Sequence, residues 1–127
     1  MQVIDSIDAL RQSVHAWKRQ GETVGLVPTM GFLHEGHASL VKKAREMTDR
    51  VVVSVFVNPT QFGPNEDFDA YPRDLEHDKA LLESLGVDVM FAPKASEMYA
   101  ADRTTWVTMD VLNTTLCGVS RPIHFRG

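Results

Sequence analysis

The sequence predicts an α/β fold, a parallel sheet with helices on its faces. Three observations carry that expectation. Strand-like and helix-like segments alternate along the 127 residues. The run Val51-Val52-Val53-Ser54-Val55-Phe56-Val57 is β-branched and apolar throughout, as a central strand would be. The segment Pro28-Thr29-Met30-Gly31-Phe32-Leu33-His34-Glu35-Gly36-His37 lies where one apolar strand gives way to an amphipathic helix.

Taken in order, Ile7, Leu10, Val14 and Trp17 mark the stripe of a first helix, capped by Asp5 or Ser6 and stopped by Gly21. Thr23–Val27 reads as a first strand covered on both faces. Ala38, Leu40, Val41, Ala44 and Met47 then recur at helical spacing, with Lys42, Lys43, Arg45 and Glu46 between them. Asn58-Pro59 ends the second strand, and a turn-rich loop runs through Gly63-Pro64-Asn65. Pro72 suits the first turn of a helix whose stripe includes Leu75, Leu82 and Leu85, followed by Gly86. Val87–Phe91 is a third strand, closed by Ala92-Pro93. Thr105–Thr108 reads as a shorter fourth strand, and Val111 to about Leu116 as a brief helix stopped by Gly118. With no repeat, low-complexity tract or linker, residues 1–127 read as one domain, large enough to bury a core.

Composition narrows the class. An apolar fraction of 43% with 24% charged residues is that of an ordinary globular protein. The net charge of −4 argues against a nucleic-acid partner, which calls for a basic excess. No apolar stretch approaches the roughly 20 residues that span a bilayer, so no membrane partner is expected. Met1-Gln2-Val3-Ile4-Asp5 lacks the features of a secretory signal, and Cys117 is the only cysteine, which together point to a cytoplasmic location.

The chemistry concentrates at the first strand-to-helix junction. A helix N-terminus offers unpaired N–H groups and partial positive charge to phosphate oxygens. His34 and His37, three apart, would share a helical face and aim two imidazoles at one ligand. As isolated residues they could equally cap, pack or form half of a metal site, although zinc usually needs three or four protein ligands and no further cluster lies nearby. Gly31 and Gly36 favour a nucleotide, since both remove side chains where backbone must approach phosphate. Gln61 falls just beyond the second strand, at the edge where open α/β sheets place ligands, and its amide can both donate and accept. Asn58 offers a second polar contact or a turn, Phe62 a pocket wall. Arg121, His124 and Arg126 form a basic cluster with no assigned catalytic role, His15 and His77 read as surface residues, and Tyr71-Pro72-Arg73 reads mainly as a helix entry.

His34-x-Gly36-His37 resembles the H-x-G-H signature of adenylyl-transferring Rossmann enzymes. The longer Pro28–His37 run, Val55-Phe56-Val57-Asn58-Pro59-Thr60-Gln61-Phe62, Tyr71-Pro72-Arg73 and Arg121-Pro122-Ile123-His124-Phe125-Arg126-Gly127 together resemble the pantoate–β-alanine ligase family in content, order and spacing. The resemblance implies a Rossmann-like nucleotide-binding sheet, incomplete in this chain. It implies ATP with Mg2+ as the nucleotide substrate, pantoate and β-alanine as co-substrates, a pantoyl-adenylate intermediate, and a homodimer. Met30, Gly31, Phe32, Leu33, His34, Glu35, Gly36 and His37 match the family's ATP-binding segment. His37 matches its proton donor, with His34 as a phosphate-contacting companion, and Gln61 its pantoate and β-alanine contact. Cys117 departs from the family, which usually carries an acidic residue before this glycine. A Gly-x-Lys-Asp-like segment and a Ser-Ser-Arg-like loop of the family do not occur here. Residues 1–127 are therefore expected to be the N-terminal portion of a longer enzyme, inactive alone and with an exposed sheet edge prone to self-association. Another small-substrate adenylyltransferase and a non-catalytic nucleotide-binding module are the competing expectations.

Overall fold

A computed structural model describes residues 1–126. Its strands are β1 (Gln2–Ile4), β2 (Val24–Thr29), β3 (Arg50–Val55) and β4 (Val89–Phe91), and its principal helices are α1 (Ile7–Arg19), α2 (Glu35–Met47) and α3 (Leu75–Ser84). Two single-turn helices, α4 (Ala95–Met98) and α5 (Cys117–Ser120), follow β4. The sheet has the order β1-β4-β3-β2 and every pairing is parallel, as the apolar, β-branched strands predict.

Local signals set the helix ends. Ser6 caps α1 by accepting the Ala9 N–H, and Gly21 adopts a left-handed φ of 80° just past its end. Asp74 caps α3 through the His77 N–H, so the helix starts three residues after Pro72 rather than at it. His15 and His77 are exposed, as expected.

Two cores flank the sheet. On one face Val27, Leu33, Val41, Val51, Val53, Leu82, Val87 and Met90 pack under α2 and α3. On the other, Ile4, Val52, Val89 and Phe91 pack with Ile7, Leu10, Val14 and Trp17 of α1. β3 is central, and Val51, Val52 and Val53 are almost wholly buried. Charged side chains clamp its N-terminal end. Arg50 Nε donates to Glu22 Oε2 at 2.6 Å and its Nη1 to Asp88 Oδ1 at 3.1 Å, while Asp88 Oδ2 accepts the Val51 N–H at 2.8 Å.

Three expectations fail. β2 is an edge strand covered on one face only: Leu26 is 63% exposed, because α1 packs over its neighbours and over Val24. Thr105–Thr108 forms no strand, since the place beside β4 is taken by β1, three residues too short to show a period. Trp106 instead stacks against the guanidinium groups of Arg103 and Arg126, at 3.9 and 4.1 Å. The helix read over Val111–Leu116 is a 3₁₀ turn at Leu112–Thr114, and Gly118 lies inside α5 rather than ending a helix. Threonine and β-branched residues at Val111, Thr114 and Thr115 disfavour a longer α-helix.

Leu82 of α3 is fully buried, within the core that holds that helix to the sheet. Leu82→Ala is expected to destabilise the fold by about 2–5 kcal/mol, read as a lower urea midpoint with an unchanged slope.

Candidate active site

Parallel pairing sends the loops after β2 and β3 out of the same sheet edge. Thr29 pairs with Val55, and the Phe56 N–H extends the pairing by donating to the Thr29 carbonyl at 3.1 Å. This C-terminal edge is where open α/β sheets hold ligands. A cavity of about 320 Å³ opens there, lined by Met30, Gly31, Phe32, Val55, Asp78 and their neighbours.

The turn out of β2 is tightly constrained. Gly31 has φ +79°, and a Cβ on it would stand 2.9 Å from Val55 Cγ1 and 3.0 Å from Asp78 Oδ2. Its glycine therefore serves the fold of the turn, a reason other than the phosphate approach read from the sequence. Phe32 is also left-handed, with φ 52°. That conformation costs a non-glycine residue roughly 1–2 kcal/mol. Asp78, only 1% exposed, supplies the compensation: Oδ2 accepts the Phe32 N–H at 2.9 Å and Oδ1 the Leu33 N–H at 2.7 Å. Hydrogen bonds to a charged acceptor are worth about 1.5–3 kcal/mol each, so the pair outweighs the strain. Thr29 Oγ1 completes the brace by accepting the Gly31 N–H and donating to the Ser54 carbonyl.

His34 is the N-cap of α2 and is extended, with φ −139° and ψ −175°, so it is not on the helical face expected for it. The rings meet by another route. The imidazole of His34 folds back so that Nδ1 accepts the Gly36 N–H at 3.0 Å, and His37 Nδ1 accepts the His34 N–H at 3.2 Å. The ring centroids lie 4.2 Å apart. Gly36 makes room for this, because a Cβ there would meet His34 Cε1 at 2.8 Å. With both Nδ1 atoms accepting backbone donors, each neutral ring must carry its proton on Nε2. The turn thus presents two Nε2–H donors. Burial, helped by neighbouring His34, pushes the His37 pKa below its ordinary 6.5, and the negative charge of Asp78 opposes this only in part.

After β3, Asn58 caps a 3₁₀ turn over Pro59–Gln61. Its Oδ1 accepts from the Thr60 N–H, the Thr60 hydroxyl and the Tyr99 hydroxyl, which favours the turn role over a substrate contact. The Gln61 carbonyl accepts from Arg121 Nη2 and lies 3.1 Å from His124 Nδ1, so the basic tail holds the backbone of Gln61. Arg121 also donates from Nε to Glu66 and, beside it, holds the Glu66 carboxyl below the usual carboxylate range. Asn58, Gln61, His124, Phe125 and Arg126 line a second cavity of about 350 Å³. Phe62 packs edge-on against Phe68 and Tyr71, and Arg73 ties that loop by donating to the Phe68, Asp69 and Tyr71 carbonyls. His34 and His37 line neither cavity, while Met30–Phe32 after β2 and Phe56–Val57 after β3 together line the first.

Sequence reasoning missed Asp78 and Tyr99. Asp78 had a signal: it falls between Leu75 and Leu82 on the apolar stripe of α3, where an acid is rare unless paired. Tyr99 had none.

A sequence profile of the family described as Pantoate-beta-alanine ligase matches residues 2–127. The chain belongs to that family. It is 60% identical over its whole length to a pantothenate synthetase from Alteromonas mediterranea, covering 46% of that protein. It is 58% identical to one from Thermosipho melanesiensis, covering 45%. Among solved structures, a pantothenate synthetase from Thermus thermophilus matches with a TM-score of 0.89 at 49% identity, over 98% of this chain and 44% of that one. A pantoate–β-alanine ligase from Francisella tularensis, complexed with β-γ ATP and β-alanine, matches with a TM-score of 0.90 at 42% identity, over 98% and 48%. The chain spans about half the length of the relatives it matches. Among the described residues no helix is long and apolar enough to cross a membrane.

The unfolded chain protonates His37 at higher pH than the folded chain. This residue therefore contributes stability that is complete above pH 6.5 and is withdrawn as pH falls through the lowered native value. In an NMR titration the His37 ring should show a midpoint below 6.5 and a neutral Nε2–H tautomer above it. A midpoint at or above 6.5 would contradict this account.

Proposed function

We propose that the protein to which this chain contributes is an ATP-dependent ligase that condenses pantoate with β-alanine. The observation that carries the reading is the pair of backbone-capped imidazoles, both offering Nε2–H at the helix N-terminus, in a chain of the pantoate–β-alanine ligase family. The Francisella tularensis relative, complexed with β-γ ATP and β-alanine, supports the choice of ligands.

The reaction has two steps. The pantoate carboxylate attacks the α-phosphorus of ATP, forming pantoyl adenylate and releasing pyrophosphate. The β-alanine amine then attacks the acyl carbon, its lost proton goes to solvent or a neighbouring base, and AMP leaves with the bonding pair. A carboxylate is a poor acyl donor, and adenylation gives it a good leaving group. Phosphoryl transfer demands positioning and neutralisation of charge, which the chain's own groups can supply. Met30–His37 hold the nucleotide. His34 Nε2–H and His37 Nε2–H donate hydrogen bonds to phosphate oxygens whose negative charge grows in the transition state, His37 to those of the departing pyrophosphate. Burial favours the neutral ring of His37, whose Nε2–H donates without first taking up a solvent proton. Gln61, with its carbonyl held by the tail, turns its amide to the pantoate carboxylate or hydroxyls and lies near β-alanine, while Asn58 shapes that turn.

Magnesium ordinarily accompanies ATP. Among the described residues no group of three or more His, Cys, Asp or Glu side chains gathers to hold a metal, so they build no cage of their own for it and the phosphates of ATP would carry it. Residues 1–127 are read as the nucleotide-gripping half, without turnover of their own. Homodimerisation and a cytoplasmic location belong to the same proposal. Leu40 and Met47 of α2 expose apolar side chains of the kind a second subunit covers.

In the full-length protein, His37→Asn keeps an acceptor where Nδ1 caps the helix and removes the Nε2 donor. Adenylate formation in a single turnover should fall about a hundredfold or more with the fold intact. An unchanged rate would take His37 out of the mechanism.

Gln61→Ala separates the substrates. Calorimetry should show pantoate binding weakened by roughly one to two decades and ATP binding little changed, since an unpaired buried polar partner costs about 1–3 kcal/mol. Loss of ATP affinity with pantoate untouched would overturn the assignment.

A further inference from the structure

Asp78 has no part in the two-step reaction proposed above, yet it is the most buried charged side chain described. It projects from α3, the helix packed beside the nucleotide loop, and lines the 320 Å³ cavity at the sheet edge. Both carboxylate oxygens are committed, Oδ2 to the Phe32 N–H and Oδ1 to the Leu33 N–H. No lysine, arginine or histidine forms an ion pair with it among the described residues. A buried carboxylate without a cationic partner is costly, and a chain that needed only to fill this space would place leucine there. The two amides it holds belong to consecutive residues, the first of them in a left-handed conformation that phenylalanine does not adopt unaided. One residue further on begins the imidazole cap of α2.

We propose that Asp78 is a positioning residue of the nucleotide site: its carboxylate, held in α3, fixes the Gly31–Phe32 turn and so aims Met30–His37 at ATP. The inference rests on the proposed ligase reading for the identity of the nucleotide, and on the geometry for the role of Asp78. The carboxylate also occupies the Phe32 and Leu33 N–H groups, so those two amides do not face phosphate. ATP is left to the imidazoles and to groups further along the loop. The turn is preorganised before nucleotide arrives, which lowers the ordering cost of binding.

The test uses the full-length protein and begins with ATP binding by the parent. Asp78→Asn is nearly isosteric, keeps one acceptor and turns an NH2 group toward the other backbone donor. It should raise the KM for ATP about tenfold or more, with Asp78→Ala worse, while the pantoate KM moves less than about threefold. Were Asp78 there only to fill space, Asn would leave ATP unaffected, and that result overturns the proposal. So does an equal loss for both substrates. A measurement on the parent guards against variants that fail to fold. The Phe32 and Leu33 amides should exchange with solvent about a hundredfold or more slower than an unprotected amide. Free exchange at Phe32 would overturn the clamp even if ATP binds. A parent that binds no ATP at all overturns both the ligase reading and this inference, whereas bound ATP with an indifferent Asp78→Asn overturns this inference alone.

Discussion

The parallel pairing of β2 with β3 is the constraint on which the rest depends. Their register runs from Val24 opposite Arg50 to Thr29 opposite Val55, and it delivers both chemically equipped loops to one edge of the sheet. At the opposite edge Arg50, Glu22 and Asp88 hold that register with charge. A slip of one residue would turn Val51 and Val53 to the other face, exchanging the two cores. The ion pairs are half-exposed and contribute little energy singly, so their value here is in selecting one alignment among several apolar ones.

A second theme is how few free backbone donors remain at the start of α2. Side chains take up the N–H groups of Gly31, Phe32, Leu33, His34 and Gly36 one after another. The same histidines that cap the helix through Nδ1 leave their Nε2 atoms uncommitted to the backbone. Capping fixes ring orientation and tautomer together, and Gly36 is the residue that lets the first ring fold back. Chemistry and helix initiation share the same atoms.

Much of this was legible in the sequence, for physical reasons. The valine run of β3, the stripes of α1 and α2 and the glycine past α1 are local signals, and each produced the element it implied. The compound motif Pro28–His37 located the loop. What it could not convey was why its glycines are there, since Gly31 answers to Val55 and Asp78, residues distant in sequence. β1 was invisible because three residues show no period, and its existence depends on a partner that arrives only at Val89. The opposite error arose at Thr105–Thr108, whose composition suits a strand but whose Trp106 is instead held between the guanidinium groups of Arg103 and Arg126. The two histidine rings do converge, but through cap geometry and not through the shared helical face expected from their spacing.

The strand order also has a consequence for how the chain folds. β2, α2 and β3 are contiguous in sequence, and their mutual contacts close only short loops. β1 is made first but has a single neighbour, β4, with Gln2 opposite Val89. It must stay unpaired until nearly the whole sheet has been synthesised. Closing that long loop is entropically expensive, so loop entropy favours β1 pairing onto a β2–β3–β4 core already in place. Of the four described strands, the first in sequence has its partner furthest away along the chain.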